Sequence, residues 1–214
     1  MVLQNRITPF GELIATPARG TLMGNRGGRL HDAARKLTAR RWTSKQWICC
    51  RLAFNDRHRT VWGDSYTELF FLDEVTAFAA GHRPCFECRR KDAERFAILF
   101  GGSDQRATAS VMDRVLHAER LDLKAKRVQN CAIDALPDGA MIARDGDAFA
   151  VRGRELLRWS PGGYTARVLR PSGMAVDLLT PPSIVQVLSR GYVPLWHASA
   201  EALTRAPAAS PRRR

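Results

Sequence analysis

The stretch from Leu72 to Arg90 reads LDEVTAFAAGHRPCFECRR, and it limits the folds open to this chain more than any other segment. Asp73 is placed to cap a short helix that ends at Gly81, a residue suited to the left-handed turn beyond a helix C-terminus. Pro84 follows at a turn, and Cys85 and Cys88 stand three apart at the entrance to a second helical stretch. Two thiolates at that spacing can grip one tetrahedral zinc ion at about 2.3 Å. The helix N-terminus and the neighbouring Arg83, Arg89 and Arg90 favour the thiolate form. The rest of the chain has to pack around a helix, a tight turn, a thiol pair and a second helix.

The second helix is expected from about Cys88 to Phe100, with Ala93, Phe96, Ala97 and Phe100 forming an apolar stripe. Gly101-Gly102 stops it, and a third helix is expected over 110–121. Upstream the pattern is that of strands. Leu13 to Ala15 and Thr21 to Met23 flank Pro17-Ala18-Arg19-Gly20, which reads as a hairpin turn. Trp47 to Phe54, Thr60 to Trp62 and Tyr66 to Phe71 read as further strands. Beyond Leu136, Pro-Asp-Gly, Asp-Gly and Pro-Gly-Gly turns separate short apolar runs, the pattern of a small antiparallel sheet. Pro181-Pro182-Ser183 opens a closing helix. The class is α+β: N-terminal antiparallel strands with the Cys-bearing helical segment, then a small antiparallel sheet with its helix. The expected division is 1–130, 131–197 and a disordered basic tail, 198–214.

The five Cys include an adjacent pair, Cys49-Cys50, and make a poor disulfide framework. They fit a reducing compartment. No apolar run is long enough to span a bilayer, and the N-terminal residues lack the apolar core of a signal peptide. The expectation is a cytoplasmic protein with no membrane partner.

The segment Gly81, Arg83, Pro84, Cys85, Cys88, Arg89 resembles the zinc domain of the bacterial adaptive-response methyltransferase family, Ada. There a helix runs into Gly-Phe-Arg-Pro-Cys-x-x-Cys-Arg; His82 stands here in place of the aromatic residue. The resemblance covers about twenty residues and implies a zinc-stabilised, DNA-binding module linked to DNA repair. The chain as a whole also resembles a bacterial protein family that implies no particular activity. The Ada zinc uses four Cys, one of an upstream pair accepting a methyl group from DNA phosphate. In this chain the upstream candidates are neighbours, and neighbours on a strand point to opposite faces. Methyl transfer is therefore not expected. The ligand set taken from the sequence is Cys49, Cys85 and Cys88, with His31, His58, His82 or water as the fourth.

The net charge is +13. Residues 1–50 carry nine bases against two acids, and residues 151–214 carry ten against three, while the middle of the chain is balanced. An excess confined to the two ends points to a polyanion-facing surface. The basic, Gly-rich loop Asn25, Arg26, Arg29 is followed by Arg40, Arg41 and Trp42, a pairing of cations and an aromatic ring that can track a nucleic-acid backbone and stack on a base. Arg89 and Arg90 extend it. Candidate acids and bases are Glu68, an acid inside an apolar strand, with His31, His117 and Glu119. No metalloprotease, deaminase or nucleophile-elbow motif is present. The sequence thus reads as a zinc-containing, DNA-binding protein of the repair or modification kind. A DNA glycosylase or nuclease is the enzymatic alternative, and an RNA- or ribosome-associated protein is the other. DNA ranks above RNA as the partner.

Overall fold

The computed structural model describes residues 2–56, 60–102 and 105–205. The architecture is α+β. Six short strands form the first sheet: β1 (Arg6–Ile7), β2 (Leu13–Ile14), β3 (Leu22–Asn25), β4 (Ile48–Cys50), β5 (Leu69–Phe71) and, after helix α1 (Glu74–Ala79), β6 (Arg83–Pro84). Their order is β2-β1-β5-β3-β4-β6. Helices α2 (Arg90–Gly101) and α3 (Ala109–Arg120) follow, then a two-stranded ribbon of β7 (Leu121–Asp122) and β8 (Ala125–Lys126). The second sheet holds β9 (Gln129–Ala132), β10 (Met141–Arg144), β11 (Asp147–Arg152), β12 (Glu155–Ser160), β13 (Gly163–Leu169) and β14 (Ala175–Leu178). It is antiparallel throughout, in the order β13-β12-β11-β10-β14-β9. Helices α4 (Pro182–Ser189) and α5 (Ala198–Arg205) close the chain.

Helices α1 to α4 stand where their sequence signals put them. Asp73 caps α1 by accepting from the Thr76 amide at 2.9 Å, and Ala93, Phe96 and Ala97 form the buried stripe of α2. The strands depart from expectation. The first sheet is mixed, because β1 pairs parallel with β5 and β4 with β6. The predicted hairpin around Pro17 does not form. β2 instead folds back on β1, and β3 lies between β4 and β5. Arg6 draws the Pro17 segment across β1 by donating its Nε–H to the Ala18 carbonyl at 2.6 Å. Thr60 to Trp62 is a turn, with Trp62 in the left-handed region at φ 58°.

Strand alternation sorts the first sheet into two faces. Ile7, Leu22, Cys49, Leu69 and Phe71 pack with Ala77 and Ala80 of the α1 region as core. Arg6, Met23, Asn25, Cys50, Glu68 and Phe70 line a cavity on the other side. Every residue of α1 is buried. Val75 and Ala79 join Met141, Ala150 and Leu157 of the second sheet. Phe78 joins Phe96, Met112, Leu116 and Ile184. The boundary expected at residue 130 separates the two sheets, and two apolar clusters run across it. The expected tail begins as helix α5, whose Ala200 is buried against the second sheet; residues 206–214 lie outside the described residues. No helix of the described residues is long and apolar enough to cross a membrane.

Candidate metal centre

Parallel pairing of β6 with β4, Ile48 beside Arg83 and Cys49 beside Pro84, carries the Cys85 turn to the end of β4. The Cys85 amide donates to the Cys49 carbonyl at 3.0 Å. Two features upstream fix this approach. Gly81 has φ +82°, and a Cβ there would sit 2.6 Å from Cδ of Arg120, so the turn needs glycine on both counts. Arg83 is buried and makes a bidentate pair with Asp113 of α3, both bonds 2.8 Å long.

The result is a cluster in which the ligating atoms of Cys50, Cys85 and Cys88 all lie within 4.8 Å of one another. The structure thus exchanges one expected ligand. Cys49 points the opposite way, fully buried in the core, and burial pushes its thiol up out of the thiolate range. Strand alternation allows one of the adjacent pair to face the thiol turn, and it is Cys50. His31 and His82 stand outside the cluster, and His58 lies outside the described residues.

The donor set suits a soft divalent ion. The amide of Glu87 points at Cys85 Sγ and that of Arg51 at Cys88 Sγ, each at 3.4 Å. Hydrogen bonds from the Cys50 and Cys88 thiols hold Cys85 far below the ordinary thiol range, and sharing with Cys85 holds Cys50 correspondingly high. One thiolate is thus already favoured within the trio.

The thiols line a cavity of about 830 Å³. Its sheet-face wall carries Glu68, whose Oε2 accepts from the Trp62 amide at 2.8 Å. Glu68 Oε1 is buried without a hydrogen-bond partner. Arg6, Arg19 and Arg51 also line the cavity. Of the four acid–base candidates, Glu68 alone is brought to the cavity that holds the thiols.

The others are committed elsewhere. His31 is buried and stacked on Trp62, centroids 5.1 Å apart. Its Nε2–H donates to the Gly63 carbonyl at 2.9 Å. The Leu30 amide donates to the Thr67 hydroxyl, which is hydrogen-bonded to His31 Nδ1 at 2.7 Å. Both ring nitrogens have hydrogen-bond partners within the fold. Glu119 accepts from the amide and hydroxyl of Ser183 at 3.0 and 2.6 Å and so caps α4. His117 meets the edge of Trp42 and lies 3.2 Å from an Arg120 nitrogen.

The basic candidates divide in two. Arg29, Arg40, Arg41 and Arg90 are exposed. Arg26 and Arg89 are 2% exposed and are not part of the exposed basic surface. Arg89 pairs with Glu74 at 2.7 Å and Asp92 at 2.9 Å. Asn25 is half-buried and folds its own loop, accepting from the Gly27 amide at 3.0 Å. Trp42 is half-buried and leans on Trp47, centroids 6.2 Å apart.

No family model, curated protein or solved structure matches this chain.

Proposed function

We propose that this protein holds zinc on Cys50, Cys85 and Cys88 and binds DNA, in repair or modification. The observation that carries the reading is the meeting of three thiols from two chain segments, supported by backbone amides, at a cavity wall. Three thiolates leave one position of a tetrahedral ion for a fourth donor, and zinc bound there supplies a positive charge and a structural tie between β4 and the start of α2. The DNA part draws support from the base-rich first fifty residues and from the exposure of Arg29, Arg40, Arg41 and Arg90. A second reading, a DNA-processing enzyme, is favoured by Glu68, a carboxylate that lines the same cavity and has one buried oxygen without a hydrogen-bond partner.

Metal content measured on the purified chain tests the first part. Zinc is expected in the wild type and in Cys49→Ser, and is expected to be lost in Cys50→Ser, Cys85→Ser and Cys88→Ser. Zinc retained by all three of these variants refutes the centre. Mobility-shift titrations on single- and double-stranded DNA at several salt concentrations test the partner. Binding that weakens steeply with salt is expected, and no shift on any DNA removes that part. Product formed by the wild type and abolished in Glu68→Gln, with DNA affinity kept, selects the enzymatic reading.

A further inference from the structure

Among the described residues, four arginines are almost fully buried, and they fall into two kinds. Arg83 and Arg89 each have a carboxylate at 2.8 and 2.7 Å. Arg26 and Arg120, at 2% and 1% exposure, have no carboxylate within ion-pair distance among the described residues. Arg26 donates to the carbonyls of Gly11 at 2.8 Å and Arg41 at 3.4 Å. Arg120 donates to those of Gly81 at 2.8 Å and Lys45 at 2.6 Å, and its Nε is buried without a partner. Lys126 turns its ammonium inward onto the carbonyl of Ala79.

The three cations converge. The guanidinium carbons of Arg26 and Arg120 lie 3.9 and 3.8 Å from the ring centroid of Trp47. Arg26, Arg120 and Lys126 all line one cavity of about 660 Å³, with Trp42, Arg41 and Lys124 also on its wall. The nearest acids do not neutralise them. Asp113 is spent on Arg83, and Glu12, on the cavity wall, is exposed. Burial first, and then repulsion from Arg41, lowers Arg26 to about 9; burial and then Arg26 lower Arg120 to about 8; burial and then Arg26 and Arg120 lower Lys126 to about 7. Neutral carbonyls satisfy hydrogen bonds but supply no counter-charge, and uncompensated buried charge is costly.

We propose that this cavity is a binding site for a phosphate monoester, with Arg26, Arg120 and Lys126 around the phosphate and Trp42 beside an attached base. A phosphate dianion brings the charge that three cations lack and accepts several bonds at once. The site is independent of the thiol centre: the two cavities share no lining residue, and Arg26 points away from its neighbour Asn25, which faces the thiol cavity.

Isothermal titration calorimetry on the full chain, at constant ionic strength set with KCl, tests this with four probes. They are inorganic phosphate, deoxyadenosine 5′-monophosphate, and one oligodeoxynucleotide with and without a 5′-phosphate. Saturable binding is expected for at least one phosphate monoester or for phosphate itself. Lys126→Gln, whose amide can still reach the Ala79 carbonyl, is expected to weaken it about tenfold or more, and Lys126→Arg is expected to restore most of it. Equal affinity for phosphate and the nucleotide identifies free phosphate as the ligand, and preference for the nucleotide or for the 5′-phosphorylated strand over its 5′-hydroxyl counterpart identifies a nucleotide or a strand end. Absence of heat with all four probes overturns the site. So does binding that Lys126→Gln leaves unchanged while circular dichroism shows the variant folded. Zinc content is read in the same samples, so failure here is distinguishable from failure of the metal centre.

Discussion

His82 is fully buried between Trp47 and Phe71, whose ring centroids lie 5.0 and 4.7 Å away. Its Nε2 accepts from Arg26 at 3.4 Å and its Nδ1 has no partner. Burial first, and then the charges of Arg26 and Arg120, hold the imidazole well below 6.5. The unfolded chain regains an ordinary histidine, which takes up a proton below about pH 6.5 that the folded ring refuses. The contribution of this residue is therefore present in full above pH 6.5 and is lost as pH falls, by at most about 1.4 kcal/mol per pH unit. His82→Phe is expected to show a smaller drop in Tm between pH 7.5 and 5.5 than the wild type, whatever its absolute stability after losing the Arg26 acceptor. Equal drops refute the assignment. The sequence could not show this, because nothing local marks His82 as buried: its neighbours in the fold come from residues 47 and 71. The adjacent cysteines were half legible. Their opposite facing follows from strand geometry, whereas choosing Cys50 over Cys49 needs the strand order, in which β3 and β6 flank β4 and leave one face for the core.

Among the elements, β6 is only two residues long, yet it positions the Cys85 turn. Its hold on α3 is the bidentate pair between Arg83 and Asp113, side chains 1% and 12% exposed. Removing one partner from a buried pair strands the other charge, at a cost of about 3–5 kcal/mol. Asp113→Ala is expected to lose stability on that scale in urea denaturation. The double substitution Arg83→Met with Asp113→Leu is expected to recover much of the loss, since it leaves no stranded charge. A single variant within about 1 kcal/mol of wild type would sink the claim that the pair anchors β6. Elements set by local chemistry were readable: α1 by its Asp73 cap, α2 by its apolar stripe, α4 by its opening prolines. The strands were readable as strands where they alternate, but their pairing was not. The hairpin expected at Pro17 is replaced by longer-range pairing: β2 pairs with β1, β3 pairs with β5, and Arg6 of β1 donates to the Ala18 carbonyl.

For the molecule as a whole, the change beyond residue 130 to short apolar runs separated by turns resembles a domain boundary, and the two sheets do change there. The packing does not divide with them. Asp73 Oδ2 accepts from the Tyr164 hydroxyl at 2.9 Å and the His197 amide at 3.1 Å. Glu74 accepts from the Tyr192 hydroxyl at 3.0 Å and the Leu195 amide at 2.9 Å. Trp159 donates to the Thr76 hydroxyl at 3.0 Å. Each of these joins α1 to a residue beyond the boundary. Burial raises the pKa of both carboxylates, so neither could sit at this junction without its donors. Because α1 completes the cores on both sides, neither side keeps its apolar faces covered when the other opens. The chain is therefore expected to unfold in urea in one transition, with far-UV circular dichroism and tryptophan fluorescence coincident. The comparison is informative because Trp47 and Trp62 report one sheet and Trp159 and Trp196 the other. A Trp159→Phe, Trp196→Phe variant watches the first sheet alone, and its fluorescence midpoint is expected to coincide with its dichroism midpoint. Two separated midpoints would show that the boundary at 130 divides folding units after all, and that α1 can leave one core without dissolving the other.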